Sequence, residues 1–160
     1  MARLIAKHRN EHNNGGSNLP HETMIGQSRE DNHFMAALGE ISVARMLNLY
    51  WTGCGFGAVD GRLAAADVGG FVEVRNVNKR NNRLAVRPRD AAHIHLPFVK
   101  VFLNEDGVCE IFGWAYGFDV KQLGSVFQAA TDKPFYVLDD DLLEDMVYLS
   151  NDLRRLKEAA

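Results

Sequence analysis

Cysteine is nearly missing from this chain: Cys54 and Cys109 stand far apart in 160 residues. That excludes a disulfide framework and a Cys-rich zinc motif, and both read as small apolar side chains for the interior. No apolar run approaches the roughly 18 residues that cross a bilayer, and MARLIAKHRN holds too short an apolar stretch for a signal peptide. The expectation is a cytoplasmic protein with no membrane partner. Internal repeats and low-complexity tracts are absent too. So is an excess of one charge, since 18 Lys+Arg against 21 Asp+Glu leave −3, which argues against a protein that coats nucleic acid without selectivity.

Apolar types make up 46% of the chain and charged types 24%, spread so that one core suffices at this length. The charge is distributed unevenly. Between Arg75 and Arg89 lie six basic residues and no acid, whereas Asp139 to Glu158 carries seven acids against three bases. Residues 1–26, with His8, His12, an Asn-Gly cluster and Pro20, show no apolar period and read as a flexible arm ahead of a domain over 27–160.

From Ser28 the pattern becomes helical. Ser28 can cap a helix whose first turn is Arg29-Glu30-Asp31, and Phe34, Leu38, Ile41 and Leu49 follow its spacing over about 28–50. Short alternating segments come next: a weak one near 57–68, then 71–77, 83–88, 98–103 and 108–116. They read as consecutive strands joined by hairpins, with Asn81-Asn82 and Asp106-Gly107 as turns. A helix over 119–129, a strand over 135–138 and a last helix from about Asp140 complete a single α/β or α+β domain.

Glu40 stands out on the first helix because its neighbours at three and four residues are Ala36, Ala37, Val43 and Ala44. A carboxylate at the edge of a buried stripe needs a partner, a cation or a route to solvent; His33 or a strand arginine are the structural options. In DVGGFVEVRNV, Phe71, Glu73, Arg75 and Val77 share one strand face and the valines the other, with Glu73 and Arg75 about 7 Å apart. A three-residue turn with a left-handed glycine puts Asp67, paired with Phe71, on Glu73's face; a two-residue Gly-Gly turn points it away. Two carboxylates on one face with a third from a helix are the hard oxygen set that Mg²⁺ or Mn²⁺ takes. Such an ion activates water and polarises phosphoryl oxygens.

At these residues the sequence resembles the PD-(D/E)XK nuclease superfamily, in particular small phage-encoded members. The resemblance is carried by Gly39-Glu40, by Asp67 to Gly70, by Glu73-Val74-Arg75 and by Gly113-Trp114, and spans about Asp31 to Leu143. It implies a restriction-endonuclease-like core, a mixed central sheet flanked by helices, in a host-cell cytoplasm. It also implies that Asp67 and Glu73 bind the metal, that Glu40 orients the ion or its water, and that Arg75 fills the signature lysine position. Arginine cannot be deprotonated here, so water activation falls to the metal and Arg75 is left to stabilise developing charge. Lys79, four residues and about 13 Å along the strand from Arg75, is too distant to substitute.

The basic stretch suits a DNA partner. Lys79 and Arg80 sit at the expected hairpin tip, and Arg83, Arg87 and Arg89 face outward beside it, placed to hold a phosphate backbone in a salt-dependent way. His93 and His95, on one face of an expected short strand, read as structural. Asp90 can close a turn or pair with an arginine, Trp114 and Tyr116 read as core, and Asp139-Asp140-Asp141 reads as a cap on the last helix. The function expected is metal-dependent hydrolysis of phosphodiesters in DNA. The alternative is an inactive nuclease fold used as a nucleic-acid-binding or phage assembly module. Double-strand cleavage would call for a homodimer, since one subunit binds one scissile phosphate.

Overall fold

A computed structural model describes residues 29–51, 66–128 and 133–158. The arm over 1–26, His8, His12, Ser28, Cys54 and the start of the weak segment at 57–65 lie outside the described residues. The class is α+β: helix α1 (Arg29–Met46), strands β1 (Glu73–Val77), β2 (Leu84–Val86), β3 (Pro97–Leu103) and β4 (Cys109–Tyr116), helix α2 (Gly117–Leu123), strands β5 (Ser125–Phe127) and β6 (Phe135–Leu138), and helix α3 (Met146–Glu158).

Helix α1 ends four residues before the expected 50. Asn48 adopts a left-handed φ of 51°, and the Leu49 amide turns back to the Ala44 carbonyl at 2.9 Å, a closure that stops the helix while keeping its last carbonyls bonded. Gly39 faces the sheet, where a Cβ would come within 2.9 Å of Val101 Cγ2, so the absent side chain sets how closely α1 packs.

The strands form two three-stranded sheets, β1-β3-β4 and β2-β6-β5. In the first, β1 runs parallel to β3, pairing Glu73 with Phe98 and Arg75 with Lys100, and β3 is antiparallel to β4. The Asp106-Gly107 turn between β3 and β4 is as expected, with Gly107 at φ 77°. The hairpin expected at Asn81-Asn82 is a correction: the chain does turn there, with the Asn82 amide on the Lys79 carbonyl at 2.9 Å, but β2 leaves β1 and pairs with β6. A parallel pair needs a crossover between its strands, and β2 with the 3₁₀ segment Pro88–His93 supplies it. That segment also replaces the short strand expected around His93. Likewise, the helix expected over 119–129 stops at Leu123, and β5 follows.

Strand β3 is buried along almost its whole length, because both of its faces are covered. On one face Val74, Val99, Val101 and Trp114 pack with Val43, Leu47, Met146, Leu149 and Leu153 of the helical side. On the other, Phe98 and Ala115 meet Leu84, Val86, Val120 and Leu138 from the second sheet and α2. A bulge between Lys100 and Val101 shifts β4 by one residue. Just past it Trp114 exchanges two backbone hydrogen bonds with Glu144, at 3.0 and 2.8 Å, and its indole donates to the Asp145 carbonyl at 3.1 Å. The C-terminal segment is thereby fastened to β4. Among the described residues no helix is long and apolar enough to cross a membrane.

Candidate functional site

Strand β1 lies at the outer edge of the first sheet, and residues 66–68 fold back along its free edge. Val68 and Val72 exchange backbone hydrogen bonds at 3.0 Å each, with Gly69 at φ 62° and Gly70 at φ 83° between them. This is a three-residue loop with left-handed glycine, one residue further along than the expected Asp67–Phe71 pairing. Asp67 falls opposite Glu73, so the parity is kept and both carboxylates share a face. Asp67 Oδ2 accepts the Val74 amide at 2.8 Å, which occupies a donor that the sheet edge leaves open.

Glu40, Asp67, Glu73, Arg75, Asp90 and His93 line one cleft of about 600 Å³. Glu40 is 5% exposed and Glu73 6%. The Trp51 indole donates to Glu40 Oε2 at 2.9 Å, a partner not considered from the sequence. Glu73 Oε2 accepts from Arg75 Nη1 at 2.9 Å, and its Oε1 lies 2.5 Å from His93 Nδ1. The Arg75 guanidinium also reaches Asp90 Oδ1 at 3.1 Å and lies 3.8 Å from Asp67 Oδ2, stacked over the Phe98 ring at 4.7 Å. Asp90 does both things foreseen for it, since its Oδ2 also accepts the Arg87 amide at 2.8 Å and closes the 3₁₀ turn.

Burial, then the negative charges of Glu40 and Glu73, push the Asp67 carboxyl up to about 7, against the lowering effect of the Val74 amide and Arg75. For Arg75 burial works against the charged form, but Asp90, Glu73 and Asp67 outweigh it and hold the guanidinium above its ordinary value. The cleft brings Glu40, Asp67, Glu73 and Asp90 together with Arg75, Arg87 and Arg89. Its hard oxygen donors suit Mg²⁺ or Mn²⁺. Among the described residues no three His, Cys, Asp or Glu side chains are grouped to hold an ion, and Glu73 is engaged with Arg75 and His93.

Of the basic residues expected at a nucleic-acid surface, Arg87 and Arg89 line this cleft and a second cavity of about 430 Å³ beside it, and Arg83 lines the second alone. Lys79 and Arg80 line neither. Arg80 is held by both oxygens of Glu110, at 2.5 and 2.9 Å. Asn76, whose buried Oδ1 has no hydrogen-bond partner, borders both cavities. Two further expectations are corrected. Asp145, not the Asp139–Asp141 run, caps α3, its Oδ1 accepting the Val147 amide at 2.8 Å, while Asp139 and Asp140 reach Arg83 at 3.5 Å and Lys100 at 2.7 Å. His93, read as structural, belongs to the cleft; His95 does not line it.

Lys100 was not singled out by the sequence, yet it is fully buried (0%). Its ammonium donates to Asp140 at 2.7 Å and to the Arg80 carbonyl at 3.2 Å, with the Phe112 ring centroid 4.1 Å away. A lone lysine within the apolar run PFVKVFL is the signal that points to it, since a charge on a strand buried on both faces must be paired. Compared with known proteins, the chain matches no family model, no curated protein and no solved structure.

Proposed function

We propose that the protein is a metal-dependent nuclease that hydrolyses phosphodiester bonds in DNA, built on a restriction-endonuclease-like core. The observation that carries this reading is the cleft in which Glu40, Asp67 and Glu73 meet Arg75, with arginines along its continuation. Asp67 and Glu73 would hold Mg²⁺ or Mn²⁺, which when bound polarises a phosphoryl oxygen and makes its water a better nucleophile. Glu40, anchored by Trp51, adds the third carboxylate. Arg75 donates to the charge that grows on the phosphoryl oxygens and cannot serve as a base. His93, aligned by Glu73, is the neighbouring imidazole for a proton transfer.

The test is cleavage of labelled DNA by the purified protein with EDTA, Mg²⁺ or Mn²⁺, beside Asp67→Ala and Glu73→Ala. Turnover that needs the ion and is abolished in both variants, with folding unchanged by circular dichroism, is the expected result. Retained cleavage in both would overturn the assignment. A second reading, a nucleic-acid-binding or phage assembly module without turnover, is favoured by one feature: Arg75 stands where a lysine would act and already occupies Glu73. It expects no cleavage with any divalent ion, and salt-sensitive binding lost on changing Arg83 and Arg87.

A further inference from the structure

We propose that the second cavity is a nucleobase site for a single strand, with Phe127 and Phe135 as its stacking surface and Arg83 and Arg87 flanking it for phosphates. The inference rests on the reading of the acidic cleft as a phosphodiester site, because the two cavities meet along Arg75, Asn76 and Arg87. A strand crossing the cleft would continue into the second cavity.

Three observations support a base rather than another ligand there. First, among the described residues no acidic side chain lines the cavity, although the chain as a whole is net negative; arginines face an anionic polymer there, with Asp139 3.5 Å from Arg83 at the rim. Second, Phe127 stands 44% exposed on β5, all three residues of which are exposed. Its ring centroid lies 5.2 Å from that of Phe135 at an interplanar angle of 46°, and the Arg87 guanidinium lies over Phe135 at 5.6 Å. This aromatic and cationic surface opens into the cavity instead of the core. Third, Asn81 and Asn82 on the wall offer amide donors and acceptors that match base edges. Arg83 is steadied at the rim by Ser125 Oγ at 3.0 Å.

The same chemistry selects between strand forms. In a duplex each base is covered on both faces by its neighbours and has no open π-face for Phe127, whereas an unpaired nucleotide does. A cavity near 430 Å³ falls in the range of about 300–1,000 Å³ that encloses small ligands, sufficient for one extruded nucleotide.

The experiment is fluorescence anisotropy in EDTA, so that no cleavage intervenes, with labelled oligothymidine, oligouridine, a duplex of equal length and an abasic deoxyribose-phosphate oligomer. Oligothymidine or oligouridine is expected to bind more tightly than the duplex. Phe127→Ala should weaken that binding by about tenfold, the scale of one lost base–aromatic stack, while leaving the abasic oligomer unaffected. Phe127→Leu, which keeps apolar bulk without a π-face, should behave alike, with circular dichroism reporting an intact fold. Unchanged binding in both variants, or equal losses for abasic and base-bearing strands, would overturn the base site. Phe127-dependent binding without metal-dependent cleavage would overturn the nuclease reading instead, and Glu73-dependent cleavage with Phe127-independent binding the reverse.

Discussion

Arg75 sits among three carboxylates, in contact with Glu73 and Asp90 and 3.8 Å from Asp67, and its own charge is the cleft's counterweight. Burial, then the charges of Glu40 and Glu73, outweigh the pull of Arg75 and the Val74 amide on Asp67, which holds a proton up to about pH 7. In the unfolded chain the same carboxyl ionises near 3.8. Between these values the folded state binds the extra proton, so this group makes stability fall as pH rises through the window and level off above it. Asp67→Asn keeps an oxygen for the Val74 amide but cannot ionise. Urea unfolding from pH 5 to 8 should show a flatter profile for the variant, and greater stability than the parent at pH 8; a parallel profile would place the proton elsewhere. At this scale the sequence was informative where residue type and strand parity sufficed, as for Glu40, Asp67, Glu73 and Arg75. His93 and Asp90 were not placed because they reach the cleft through a 3₁₀ crossover, and its course depends on which strands pair.

At the scale of elements, local signals held where a turn is dictated by glycine and failed where partners are chosen over distance. The loop at Gly69-Gly70 and the β3–β4 turn at Gly107 need positive φ, which sequence displays openly. Strand β2 has no such signal, and its pairing with β6 comes from the second apolar cluster around Phe98 and Leu138. Gly113 is of the first kind. Its φ is 152°, and a Cβ there would come within 2.6 Å of the Glu144 carbonyl oxygen and 3.0 Å of Leu143 Cβ. Gly113→Ala should therefore push the C-terminal segment off β4 and cost roughly 1–3 kcal/mol. The midpoint of urea denaturation, and hydrogen exchange at the Trp114 and Glu144 amides, would register it; unchanged protection of both amides would contradict the close approach.

For the molecule as a whole, two small sheets share the layer containing Phe98, Leu84 and Leu138, and the acidic cleft and the aromatic cavity open beside one another along it. That two-sheet arrangement was not legible from the chain, because a run of short alternating segments is equally compatible with one meander. Lys100 lies across this layer, its ammonium sealed between Asp140, the Arg80 carbonyl and the Phe112 ring. An amine reagent cannot reach a side chain with no accessible surface, and acylation needs the neutral, solvated amine. Under brief treatment with an acetylating reagent, the exposed Lys79, Lys121 and Lys133 should be modified at once, while Lys100 reacts only as often as the two sheets part. The mass-spectrometric time course at Lys100 then becomes an intrinsic clock for the opening of the fold, and labelling as fast as at Lys121 would mean that the layer is open in solution.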